Sequence, residues 1–265
     1  MDKIARQPQA DWFGDWNADV ASAVARRMAT ITAAGALPVL VAYAIPGRDC
    51  GSYSAGGEPS PEAYRRWIAG FVRGVSHRTA VVVLEPDALA EIDCLAPTAR
   101  RTRMTLLRFA VADFREHSRA SVYIDAGTAG WHPAAVMAAR LRAAGIDRAR
   151  GFALNVSNFR TTADVISYGN AISHRVGGKR FLVDTSRNGV GPLPRSEWRT
   201  PEDGWCNPPG RALGAGATTA TASRRADAYF WIKRPGESDG TCNGGPPAGV
   251  WWPEYALALA RAASR

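Results

Sequence analysis

The sequence predicts an α/β protein built on a parallel sheet. Short apolar runs alternate with amphipathic stretches along the whole chain. No hairpin dipeptide stands between consecutive apolar runs, so helices are expected to connect the strands. Runs such as "VVVL" (81–84) are apolar at every position, the pattern of a strand covered on both faces.

The elements follow in order. A first strand, "ADWFGDW" (10–16), leads into a helix near 17–34 that opens after Asn17 or Asp19. "ALPVLVAYAI" (36–45) is the second strand, and a Gly/Ser-rich loop, "PGRDCGSYSAGGEPS" (46–60), follows it. Ser60 then caps a helix over 61–74, with Pro61 in its first turn. In "TAVVVLEPD" (79–87) Pro86 ends the ladder and holds Asp87 just beyond the strand. Taken alone, Asp87 could equally cap a helix suggested by "ALAEI".

Helices near 97–116, 133–144 and 161–175 alternate with strands "RASVYIDAG" (119–127), "GFALNVSN" (151–158) and "RFLVDTSRNG" (180–189). From Asn188 to about Ala226 the chain is dense in Gly, Pro and Trp without periodicity. A loop that long inside a compact domain usually carries function. The strand "DAYFWIKRPG" (227–236) and the helix "WPEYALALARAAS" close the chain. No repeat or linker interrupts it, so one domain is expected over 1–265.

A chain of 265 residues, 46% of them hydrophobic, can supply one full core, and single barrels of this length are common. No apolar run approaches the ~20 residues of a membrane span, so no membrane partner is expected. The stretch "MDKIARQPQADWFGDW" lacks the apolar region of a signal peptide. The net charge of +9 is carried by scattered arginines, with Lys3, Lys179 and Lys233 as the lysines. No zinc-finger, helix-turn-helix or stacking-platform signature accompanies them, which argues for a solvated surface and against nucleic acid.

Four cysteines, Cys50, Cys94, Cys206 and Cys242, show no C-x-x-C spacing. An even number of separated loop cysteines fits two disulfides and an oxidising compartment. Three pairings are possible; Cys50–Cys94 with Cys206–Cys242 is favoured, each closing a loop worth roughly 4 kcal/mol in the chain-entropy model.

The strands end, one after another, in polar groups. These are Asp15, Asp49, Glu85 with Asp87, Asp125, Asn155 with Asn158, Asp184 with Arg187, then Lys233, Glu237 and Asp239. Capping explains one such aspartate but poorly explains nearly every strand, whereas a barrel site lies at these ends. Aromatics accompany them: Trp12, Tyr43, Tyr53, Trp131, Trp198 and Trp205. Flat apolar faces backed by carboxylates and amides suit a sugar ring. His77, His117, His132 and His174 show no ligand spacing, so neither a metal nor another cofactor is expected. No G-x-S-x-G elbow or P-loop is present. "NVS" (155–157) matches a glycosylation sequon but falls on a predicted strand.

Taken together, "YAIPGRDCGSYSAGG", "VLEPDALA", "YIDAGTAGWH", "NVSNF", "LVDTSRNG", "GWCNPPGRALG" and "WIKRPGESDG" resemble the family 6 glycoside hydrolases, cellulases acting on β-1,4-glucan. The resemblance runs from about residue 4 to the C-terminus with motif order kept. It implies a distorted, incomplete, seven-stranded parallel β/α barrel of the TIM-like kind, inversion at the anomeric carbon, secretion of a monomer, and the disulfide pairing favoured above. By resemblance Asp87 is the general acid, and Asp49 keeps that acid protonated and takes part in a water chain. Asp239 matches the candidate base, whose reach to the water is debated. Asp125 matches a further active-site aspartate, and Tyr43 the tyrosine that distorts the reacting sugar. Trp12, Trp131 and Trp205 match stacking residues; Lys233 and Glu237, with Asn158 and Arg187, match polar substrate contacts. Ser54 lies where a serine holds the nucleophilic water.

Three departures stand out. Thr128 replaces a frequent His, Ala44 replaces an Asn or Asp, and the chain begins later than most members, a start that would leave one barrel face less covered. Only "GTCNGGPPAGVWW" separates Asp239 from the closing helix, where processive members carry a roofing insertion. The expectation is therefore an open cleft and an endo-β-1,4-glucanase. A cellobiohydrolase, a β-glucanase of other linkage and a non-catalytic glucan-binding protein are the rivals. The chemistry makes one demand of its own: an ordinary Asp, of pKa ~3.9, is only about 1% protonated near pH 6. Burial and a neighbour such as Asp49 must raise Asp87.

Overall fold

The computed structural model describes residues 2–263. Seven parallel strands form one sheet in chain order: β1 (Asp11–Gly14), β2 (Val39–Tyr43), β3 (Thr79–Leu84), β4 (Arg119–Asp125), β5 (Gly151–Leu154), β6 (Arg180–Asp184) and β7 (Ala226–Phe230). The helices are α1 (Asp2–Ala5), α2 (Val20–Ala33), α3 (Pro61–Val75), α4 (Pro97–His117), α5 (Ala134–Ala143), α6 (Thr162–Arg175) and α7 (Pro253–Ala262). The sheet curls until Gln9 bridges Trp231, where the Ala10 N–H donates to Trp231 O at 2.9 Å. That seam makes the barrel distorted and incomplete.

Alternation along each strand sorts two cores. Val41, Val81, Val83, Tyr123, Ala153 and Leu182 point into the barrel. Leu40, Val82, Leu84, Ile124, Phe152 and Phe181 point outward against the helices. Both sides of "VVVL" are thus buried, which is why the run shows no polar alternation. Asp19 caps α2 by accepting from Ser22 N at 3.0 Å, and Ser60 caps α3 by accepting from Ala63 N at 3.1 Å. Gly74 lets α3 lie on α2; a Cβ there would stand 2.7 Å from Val24 Cβ.

The strands stop earlier than their apolar runs suggest. Glu85, Asp87, Asn155 and Ser157 adopt positive φ (52°, 67°, 66° and 59°), and a left-handed residue cannot continue a ladder. The helix suggested by "ALAEI" does not form: turns lead into a 3₁₀ turn at Ile92–Cys94, so Asp87 caps no helix. The segment between β6 and β7 is irregular apart from 3₁₀ turns at Arg195–Glu197 and Pro201–Gly204. Asn155 of the sequon lies just past β5 and is fully buried, its amide donating to Asp184 O at 3.0 Å, so it cannot bear a glycan.

Two strand-end carboxylates are structural. Glu85 accepts from Ala44 N and Ile45 N at 3.0 Å each, fastening the exit of β3 to that of β2. Asp184, fully buried, accepts from the N–H groups of Ser157 (3.0 Å), Ser186 (2.8 Å), Ile232 (3.3 Å) and Lys233 (2.9 Å). It ties the exits of β5, β6 and β7 together. Asp184→Asn turns one acceptor into a donor facing N–H groups and is expected to lower stability by roughly 3 kcal/mol. Urea unfolding measures this, and a loss below about 1 kcal/mol would show that the exits are fastened by something else.

Candidate active site

The strand exits open into a cleft of about 1040 Å³. Asp87 stands in its wall in a left-handed turn, with its backbone N–H donating to Asp125 Oδ1 at 3.0 Å. Asp125, 1% exposed, also accepts from Gly127 N at 3.0 Å, leaving Oδ2 buried without a partner. It lies behind Asp87, not in the cleft wall. Burial first, then the charges of Asp125, Glu91, Asp49 and Asp239, push Asp87 well above the carboxylate range. Burial also lifts Asp125 to about 7.

Asp49 enters from the loop after β2, where its Oδ2 accepts from Ser54 N at 2.5 Å. Burial raises it, opposed by that N–H and by Arg48. Arg48 orders the loop, donating to Ser54 O, Tyr43 O and Asp15 Oδ1 at 2.8 Å each. Its guanidinium lies 4.5 Å from the centre of the Tyr43 ring and 5.2 Å from that of Trp16. Burial, then Asp87 and Asp49, raise the Tyr43 hydroxyl well above its ordinary value, so the phenol stays protonated.

Asp239 is the electrostatic opposite. Arg187 Nη1 stands 2.7 Å from its Oδ2 and Lys233 Nζ 3.2 Å from its Oδ1. Asn207 donates its backbone N–H to Oδ2 at 3.1 Å and accepts from the Asp239 N–H at 2.8 Å. Burial alone would raise Asp239, yet the two cations outweigh it and hold the carboxyl below its ordinary range. The cleft therefore carries a proton-holding wall and a wall that stays ionised.

Trp12, Ser54, Trp131, Asn158, Trp205, Lys233 and Glu237 also line the cleft. The Trp12 ring meets Tyr43 edge-on at 5.3 Å, and its indole N–H donates to Ile232 O at 2.8 Å. Glu237 accepts from Arg234 Nη1 at 3.3 Å. Arg187 differs from expectation: it is fully buried behind Asp239, over the Phe159 ring at 4.4 Å, and shows no surface to a sugar. Thr128, in place of the His, is buried and donates to Asn155 Oδ1 at 2.7 Å.

Sequence reasoning missed Arg48, Arg103, Glu91 and Trp16. Arg103 of α4 is 3% exposed and donates to Pro46 O at 2.9 Å and Gly47 O at 2.7 Å, so a helix residue steers the loop bearing Asp49. Trp16 lines the cleft at 56% exposure, a visible signal had it been read as the end of "DWFGDW" and not as strand. The pairs Cys50–Cys94 and Cys206–Cys242 are bonded. The first joins the loops bearing Asp49 and Asp87; the second joins the long loop to the segment after Asp239.

A seven-stranded barrel with acidic groups and tryptophans at its strand exits has the form of a carbohydrate-active enzyme, and the chain belongs to family 6 of the glycosyl hydrolases, whose pattern matches residues 1–263. It is 47% identical to Endoglucanase A of Cellulomonas fimi over 98% of this chain and 56% of that protein. With Endoglucanase 1 of Streptomyces halstedii the identity is 43%, over 97% of this chain and 79% of the relative. The chain thus spans little more than half the length of the first of these relatives. Among solved structures, the endoglucanase Cel6 of Mycobacterium tuberculosis, in complex with a methyl-cellobiosyl thio-cellobioside, superposes with a TM-score of 0.94 at 50% identity, covering 98% of this chain and 88% of that one. The cellobiohydrolase Cel6A of Chaetomium thermophilum gives 0.84 at 27% identity, over 99% and 89%.

Glu85, Glu91 and Asp125 are each raised to about 7, by burial first. Each binds its proton more tightly folded than unfolded, so its stabilisation is complete below about pH 4 and is lost as pH rises through 7. Asp239 acts oppositely, its contribution disappearing only as pH falls through its lowered value. Thermal stability is therefore expected to peak near about pH 4–5 and to fall steadily as pH rises through about 7. Melting temperatures across that range are the check; a curve rising from pH 5 to 7 would contradict the buried, proton-holding carboxyls.

Proposed function

We propose that this chain is an inverting endo-β-1,4-glucanase that hydrolyses internal bonds of cellulose and related β-glucans. The carrying observation is the contrast between Asp87, which burial and neighbours keep protonated, and Asp239, which Arg187 and Lys233 keep ionised. In the proposed reaction Asp87 gives its proton to the leaving glycosidic oxygen as the bond to the anomeric carbon breaks. Water attacks that carbon from the opposite face and passes its proton on to a carboxylate, so the configuration inverts.

A carboxyl held as low as Asp239 is a weak proton acceptor, since a general base works best with a pKa near the working pH. Its charge is better suited to stabilising the positive charge that develops on the sugar ring. Asp49, raised by burial and held beside Ser54, is the stronger candidate to receive the water's proton through a second water. Tyr43 underlies the reacting sugar, and Trp12, Trp131 and Trp205 offer stacking faces along the cleft.

The short segment from Gly240 to Trp252 favours internal cutting. One contact favours the cellobiohydrolase reading: Tyr53 OH donates to Glu202 Oε2 at 3.0 Å, and its ring lies 6.0 Å from Trp205, so two cleft loops touch. The relatives named endoglucanase share more identity with this chain than the cellobiohydrolase does. Two disulfides in site-bearing loops support secretion into an oxidising environment.

Asp87→Ala is expected to lower turnover on cellulose roughly 10²–10⁴-fold, the usual worth of acid catalysis. The loss should shrink sharply on β-cellobiosyl fluoride, whose leaving group needs little protonation. Near-normal turnover on cellulose would remove Asp87 as the acid and direct the test to Asp125. On carboxymethyl cellulose the wild type should drop viscosity quickly; soluble cellobiose without that drop would favour the exo reading.

A further inference from the structure

Glu91 lines the cleft in the turn that follows Asp87 and has no part in the reaction described above. Its backbone N–H donates to Asp87 O at 2.9 Å, so both carboxyls leave one tight turn. The Cys50–Cys94 bridge clamps that turn to the segment carrying Asp49: Cys50 follows Asp49 directly and Cys94 lies just downstream of Glu91. Glu91 Oε2 is buried without a hydrogen-bond partner.

The charged groups facing Glu91 come from four places. Asp49 lies on the loop after β2, Asp87 on its own turn, Asp125 at the end of β4, and Arg103 on α4. Arg103 is the cation among them; its Nη2 donates to Pro46 O and Gly47 O, and its Nε is buried without a partner. Three acids against one cation, in a buried setting, resist a further negative charge until the medium supplies little acid.

On the reading of Asp87 as the acid, we propose that Glu91 is a positioning residue for the acid's proton: its carboxylate, leaving the same clamped turn as Asp87 and lining the same cleft, holds the proton on Asp87. Burial first, then Asp49, lift Glu91 to about 7, which places its ionisation where an acid catalyst begins to fail. Below this pH Glu91 is neutral and Asp87 is protonated without help. Above it the new charge opposes ionisation of Asp87, and the active form persists further into the alkaline range.

Glu91→Gln keeps the shape and removes the charge. The alkaline limb of kcat/KM on cellohexaose is expected to move down by about one pH unit, while Glu91→Asp, which retains a carboxylate, should keep most of the wild-type profile. On β-cellobiosyl fluoride, which needs no acid, the displacement should vanish. An unmoved limb in Glu91→Gln, with or without a lowered melting temperature, would reduce Glu91 to packing. The same displacement on both substrates would place its effect on another group. Failure of the acid assignment itself is read separately, from Asp87→Ala, so the two ideas can fall independently.

Discussion

Glu85 and Asp184 direct their oxygens at backbone N–H groups on neighbouring strand exits, and the site is built on those bonds. A parallel strand that must end in a left-handed turn leaves donors with no ladder partner. A buried carboxyl aimed at them satisfies several at once, although burial still outweighs those bonds and raises both groups. Asp87 and Ser157 can then hold positive φ without unravelling β3 and β5. Strain of this kind persists only where the surroundings over-determine it, and here it accumulates around the cleft.

The same burial that fastens the exits sets the chemistry. Asp87 and Asp49 share a poorly solvated wall, with Asp125 buried behind it, and there the proton is the cheapest counterion. Across the cleft, Arg187 is fully buried yet keeps its charge because Asp239 and the Ser157 carbonyl answer it. Two carboxyls of one residue type are thus driven apart by their neighbours alone. The disulfides hold the loops that bear these neighbours at fixed separation, so the electrostatic contrast depends on covalent geometry as well as on burial.

Much of this was legible in the chain. Unbroken apolar runs revealed strands buried on both faces, and Ser60 with Pro61 marked the start of α3 closely. Repeated acids after those runs marked the end of the sheet at which the cleft opens. The sequence could not say which acids face solvent and which face backbone, because that depends on whether the exit turns inward by one residue or two. Glu85 and Asp87 are two positions apart, yet one accepts from β2's exit and the other stands in the cleft. "ALAEI" misled for a related reason: its helical spacing was overridden by the demand that Ala88, Leu89 and Ala90 fill space beneath the turn. Arg48 and Arg103 were hidden, and Arg187 was read as a sugar contact, because a buried arginine looks like any surface arginine until its carbonyl or carboxylate partners are known.

The seam at Gln9 and Trp231 bears on the width of the cleft. In a fully closed barrel, strand number and stagger fix the radius, leaving the mouth little freedom. Here one bridge, the Trp12 indole bond to Ile232 and the bonds of Arg234 to Ala10 O at 3.2 Å and Asp11 at 2.7 Å fasten the edge strands. Trp12 and Arg234 line the cleft and also stitch its margin. Whatever presses on Trp12 inside the cleft therefore bears on that fastening too, which couples occupancy of the cleft to the width of its mouth.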